Sequence, residues 1–142
     1  MGKRWLGLFG LLAMLAAPAL ACAAETLFVV VTREEPQVQG MAMILSLQAL
    51  RHQTAVRVLL CGPGGDLAFT GYDGPTLKPT AQTAQQMLQA VIQAGAKVEL
   101  CPLYLANSGG RTETEMIPGV TIASPAAIGD FMDQPGVRYF TF

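Results

Sequence analysis

The sequence predicts an α/β protein: a three-layer α/β/α sandwich on a five-stranded, mostly parallel sheet. Three observations carry this. Segments of strand and helix character alternate from residue 27 onward, the pattern of successive crossover units. The first of them, Leu27-Phe28-Val29-Val30-Val31, is apolar throughout and rich in β-branched residues. A strand covered on one face would alternate, so this one is expected to be buried on both. The breaks fall at Gly and Pro, and 142 residues allow one domain.

The sequence opens on a segment of another kind. Lys3 and Arg4 precede an uncharged run from Trp5 to Leu20, and small residues surround its end as Ala19-Leu20-Ala21-Cys22-Ala23-Ala24. A basic start, an apolar stretch and a small-residue site are the layout of a secretory signal peptide. The run is about sixteen residues, short of the roughly 20 that span a bilayer, and Pro18 suits a cleaved leader better than an anchor. Ala21-x-Ala23 sets the expected cleavage after residue 23. Residues 24–142 would then form the domain, periplasmic or secreted, with no stable membrane span. Lipoprotein processing at Cys22 is the alternative, which Ala19-Leu20-Ala21 matches only loosely.

The elements follow in order. Arg33-Glu34-Glu35-Pro36 ends the first strand, and a helix is expected from Gln37 to His52 with Met41, Ile44, Leu45 and Leu47 as its apolar contacts. Residues 56–61 form the second strand, which Gly62-Pro63-Gly64-Gly65-Asp66 stops sharply. After a turn-rich stretch, Thr80 is expected to cap the clearest helix. Ala84, Met87, Leu88, Val91 and Ile92 form its apolar stripe, and Gly95 suits the residue after its end. Residues 97–101 form the third strand, whose charges Lys97 and Glu99 suggest one partly exposed face or strand end. Leu103 to Ala106 and Thr112 to Met116 have weak helical character. Residues 120–122 form a short strand, and Ser124-Pro125 is an N-cap followed by proline at the first helical position. That helix runs to about Asp133, and a last strand covers residues 137–142.

Composition excludes several classes. The chain is 51% hydrophobic and 13% charged, too apolar for disorder. Loss of the leader removes Lys3 and Arg4 and no acid, leaving seven basic and ten acidic residues, net about −3. No basic field for nucleic acid results. Two cysteines remain, Cys61 and Cys101, in a compartment where disulfides persist.

Ligand chemistry in parallel α/β folds gathers at the carboxyl ends of the strands. Cys61 ends the second strand and Cys101 the third. Cys101 is the sharper candidate, because a thiol between a strand end and a helix start is placed to ionise and to accept sulfur or attack an electrophile. The competing reading is a small buried hydrophobe. Cys61 is by default core filler. It becomes a redox or disulfide partner if the two strands are neighbours and both side chains share a face. Gly62-Pro63-Gly64-Gly65 lacks the spacing of either phosphate-binding glycine motif and reads as a tight turn. His52, the single histidine, suits an exposed helix C-terminus. Cys61, Cys101 and His52 make only a weak metal set, and neither a metal nor a cofactor is expected. Ser46, Ser108 and Ser124 have no nucleophile context. Arg111 is either a solvated loop charge or an anion contact near the thiol.

The stretch Gly95-Ala96-Lys97-Val98-Glu99-Leu100-Cys101-Pro102, followed by Glu115-Met116-Ile117-Pro118-Gly119-Val120, resembles the DsrE/DsrF-like sulfur-relay family. Members show a turn, a strand, a Cys or Cys-Pro, and downstream an Ile/Leu-Pro-Gly-Val element. The resemblance spans residues 25–142. It implies a DsrE-like fold with sheet order 4-3-2-1-5, which makes the second and third strands neighbours. It implies homo-oligomers, commonly trimers or hexamers, and protein sulfur donors and acceptors. The persulfide-carrying role maps onto Cys101. Many exported relatives have a second Cys three residues later, where this chain has Tyr104, so a CxxC redox cycle is excluded. The expected function is sulfur binding or persulfide relay through Cys101. The alternative is a non-catalytic oligomeric binding or assembly module with structural cysteines.

Overall fold

The computed structural model describes residues 25–142; the expected leader, its expected cleavage site and Cys22 lie outside the described residues. The strands are β1 (Thr26–Val31), β2 (Ala55–Leu60), β3 (Lys97–Leu100), β4 (Val120–Ile122) and β5 (Val137–Thr141). The helices are α1 (Pro36–Arg51), α2 (Ala84–Gln93), α3 (Pro102–Ala106) and α4 (Pro125–Met132). The strands form one sheet in the order β4-β3-β2-β1-β5. Every pairing is parallel, so "mostly parallel" sharpens to fully parallel. The order is the one the family resemblance implies.

The two sheet faces differ in chemistry. Val29, Val31, Val58, Leu60, Val98 and Leu100 point to one face and pack with Met43 of α1 and Met87, Leu88 and Val91 of α2 in the main core. Each of these side chains buried from water stabilises the fold by about 1.5–3 kcal/mol before entropy is counted. Phe28, Arg57 and Glu99 point to the other face, where Phe28 meets Phe131 of α4 edge-on at 5.4 Å.

Three expectations need correction. The buried residues of α1 are Gln39, Gly40, Ala42, Met43 and Ser46, while Met41 and Leu45 are 49% and 41% exposed. The helix is apolar nearly all round, so its pattern did not single out the stripe that Pro36 and the β1–α1 loop turn toward the sheet. The cap of α2 is Thr83, not Thr80. Thr83 accepts from the Gln86 N–H, and the Gln86 side chain accepts from the Thr83 N–H, a reciprocal box that Thr80 has no partner to form. Thr80 instead closes a turn onto the Leu77 carbonyl. Finally, Glu99 is 3% exposed and paired with Arg57 rather than on an open face, while Lys97 at the strand end stays largely exposed.

The glycine-rich stop after β2 is more than a tight turn. Residues Gly62–Ala68 wind into a 3-10 segment whose Gly64, Gly65, Leu67 and Ala68 are buried. The Gln85 side chain of α2 donates to the carbonyls of Leu67 and Phe69 at 2.9 and 2.6 Å and anchors its far end.

Candidate functional site

Parallel register decides where the two cysteines meet. Leu60 pairs with Leu100, and the next residue on each chain is a cysteine. The Cys101 N–H donates to the Leu60 carbonyl, and the Cys61 N–H to the Val31 carbonyl, each at 2.9 Å, so the ladder continues through both. Leu60 and Leu100 face the main core, and side chains alternate. Cys61 and Cys101 therefore both face the α4 side. Both are half-buried free thiols.

Their environments set their protonation. Burial, and then the neighbouring Cys101, push the Cys61 thiol up to about 12. Cys61 therefore keeps its proton. The helix start contributes little at Cys101. Pro102 has no N–H to offer, and α3 is only five residues long.

Cys101 opens into a cavity of about 270 Å³ lined also by Leu59, Pro102, Leu103, Ala123, Pro125 and Ile128. Every lining side chain except the thiol is apolar. Leu103, 73% exposed, stands at its lip. Ser124 caps α4 through the Ala127 N–H and so fixes the wall carrying Pro125 and Ile128.

That wall is tied to the sheet by a buried ion pair. Arg57 donates to Glu99 through Nε at 2.6 Å and Nη2 at 3.1 Å, and through Nη1 to the Ala127 carbonyl at 3.4 Å. Its guanidinium lies 4.6 Å from the Phe131 ring centroid. Lys97 adds a second cation at 2.9 Å from Glu99. Burial alone would raise the Glu99 carboxyl, but the hydrogen bonds and charges of Arg57 and Lys97 outweigh it and hold it below its ordinary value.

Beside the thiols lies a polar knot that the residue pattern did not reveal. The Tyr104 hydroxyl of α3 donates to Asp66 Oδ1 at 2.6 Å. Arg111 pairs with the same oxygen and places its guanidinium 4.8 Å from the Phe69 ring centroid. Burial and the bonded Asp66 carboxylate push the Tyr104 phenol up to about 12. Arg111 lines a polar recess with Asp66 and Tyr72, apart from the apolar cavity of Cys101, so it is neither a free loop charge nor a lining residue of the thiol cavity. Asp66 and Tyr104 were the residues missed. The one signal that could have found them is a carboxylate just past a strand end with a phenol where relatives carry a second thiol.

The other candidates lie elsewhere. His52 caps the C-terminus of α1 and is exposed, at the edge of the sheet opposite the cysteines. It cannot share a metal with them, and among the described residues no group of three His, Cys, Asp or Glu is arranged for a metal ion. Ser46 donates back to the Ala42 carbonyl within α1.

Fully parallel order, flanking helices and a thiol edge define an α/β protein with a DsrE/YchN-like fold. The crystal structure of the YchN protein from E. coli matches with a TM-score of 0.67 at 20% identity, over 83% of this chain and 99% of that one. MTH1491, a protein of unknown function from Methanobacterium thermoautotrophicum, matches with a TM-score of 0.57 at 15% identity, over 83% of this chain and all of that one. At such identities the likeness is one of fold. No protein-family model matches the sequence, and no curated protein does.

Proposed function

We propose that this is an exported DsrE-like protein that carries sulfur as a persulfide on Cys101. The observation that supports this most is the placement of Cys101. It sits at the carboxyl edge of a parallel sheet, opens into an apolar cavity, and has a second, protonated thiol beside it. A sulfur anion there is stabilised by a donor without being flooded by water, which would otherwise hydrate the nucleophile. The leader pattern of residues 1–23 supports export. Donors and acceptors are then sulfane-sulfur compounds or partner proteins, and Arg111 acts by holding Asp66 and Tyr104 in place.

The test uses the Cys61→Ser chain, loaded with inorganic polysulfide and analysed by intact mass and peptide mapping. A gain of about 32 Da, one sulfur atom on a thiolate, is expected on Cys101. It should vanish in Cys61→Ser/Cys101→Ser. Absence of the adduct from a folded Cys61→Ser protein would overturn the reading.

A second reading, an oligomeric assembly module, is favoured by a different observation. Met41 and Leu45 of α1 and Phe140 of β5 are large apolar side chains left 41–49% exposed. Leu45 and Phe140 flank a cavity floored by Leu27 and Val29. On this reading a second copy of the chain covers that face.

A further inference from the structure

We propose that Cys61 is a resolving thiol: it discharges the sulfur carried by Cys101 as hydrosulfide and closes a Cys61–Cys101 disulfide. The proposal rests on the reading of Cys101 as the sulfur carrier and assigns the fate of that sulfur.

Three observations carry it. The cysteines follow the paired residues Leu60 and Leu100 on adjacent parallel strands, whose chains run about 4.8 Å apart. That separation falls inside the range of roughly 4.4–6.8 Å between Cα atoms that a disulfide bridges. Both side chains leave the sheet on the same face, and the two thiols lie close enough for Cys101 to perturb the ionisation of Cys61. Lastly, the cavity over Cys101 contains no other titratable side chain. The adjacent side chain able to give a proton to a leaving sulfur there is Cys61.

The step balances without any further reagent. The loaded form is Cys101–S–S⁻ beside Cys61–SH. The Cys61 sulfur attacks the Cys101 Sγ, and the bond from Sγ to the outer sulfur breaks. The outer sulfur takes that electron pair and the Cys61 proton and leaves as HS⁻. One negative charge stands on each side of the equation. The sulfane sulfur is reduced to sulfide, and the two cysteine sulfurs are oxidised to the disulfide. Run backwards, hydrosulfide attacks the disulfide at Cys101 and reloads the carrier.

The experiment is anaerobic loading of the reduced full chain with inorganic polysulfide, rapid desalting, and parallel measurement of intact mass, cross-linked peptides and free sulfide. Wild type is expected to lose about 2 Da, the two thiol hydrogens, to yield a Cys61–Cys101 peptide and to release one sulfide per chain. Cys61→Ser and Cys61→Ala should both retain the extra sulfur on Cys101, with a lifetime at least about tenfold longer than in wild type. Oxidised wild type given excess sulfide should regain the extra sulfur on Cys101. Equal persulfide lifetimes in wild type and both Cys61 variants would overturn the resolving role and leave the carrier reading intact. Absence of the adduct from both folded Cys61 variants would instead overturn the carrier reading itself.

Discussion

Arg57 and Glu99 are 7% and 3% exposed; among the described residues Glu99 is the only carboxylate paired with Arg57, while Glu99 also has the largely exposed Lys97. Deleting Glu99 leaves Arg57 buried and uncompensated, which costs about 3–5 kcal/mol, and deleting Arg57 leaves Glu99 only the Lys97 contact, whereas replacing both by apolar residues of similar volume is often neutral. Arg57→Ala is therefore expected to lower the urea midpoint sharply, and Arg57→Met/Glu99→Leu to recover most of the loss. The pair also sets a pH dependence. The folded-state pKa of Glu99 lies below its ordinary 4.5, so its contribution is complete above the unfolded value and is lost as pH falls through the folded one. Stability measured from neutral pH down through the carboxylate range should fall more steeply in wild type than in Glu99→Gln. Equal slopes would remove the ion pair as the cause. None of this was legible in the sequence, because the pairing partners lie 42 residues apart and a charge on a short strand looks the same exposed or covered.

At the scale of elements, the segment after β2 and the start of α3 support each other through Gly65. A Cβ added there would collide with the Tyr104 ring, which lies flat against the backbone. The neighbouring Asp66–Tyr104 bond locks the same contact from its polar side. Gly65→Ala should cost about 1–3 kcal/mol by overpacking, but little in a Tyr104→Ala background, because the obstruction is then gone. A double-mutant cycle by chemical denaturation measures the difference, and additive effects would refute the contact as the cause. The elements themselves were largely readable. An unbroken β-branched run marked β1, one clean stripe marked the buried face of α2, and Ser124-Pro125 marked the start of α4. Legibility failed where several patterns competed. The apolar surface of α1 offered more than one stripe, and Thr80 and Thr83 both looked like caps until the reciprocal partner Gln86 distinguished them. The cysteines were readable as strand ends. That they share a face was not, since it depends on a register set by the whole sheet.

For the molecule as a whole, the face bearing Met41, Leu45 and Phe140 is the feature that a solitary domain explains least. Exposed apolar side chains grouped around a cavity commonly mark an interaction surface. Sedimentation velocity is expected to show a self-associated wild type, and Leu45→Glu and Phe140→Glu are expected to shift it toward monomer while Cys101 still accepts sulfur. A monomeric wild type at high concentration would dispose of the assembly reading. The cysteine pair has a whole-molecule consequence too. Residues 61 and 101 are far apart in sequence but fall side by side only once β2 and β3 have paired. Closing a loop of about 40 residues in the unfolded chain costs about 4 kcal/mol that the native sheet has already met. Were the proposed bridge to form without strain, for a two-electron couple this would place the potential of the folded pair roughly 80 mV below that of the same thiols in an unfolded chain. Under the proposed resolving role, folding free energy and electron affinity become one linked quantity, and whatever loosens the β2–β3 seam would also make the bridge easier to reduce.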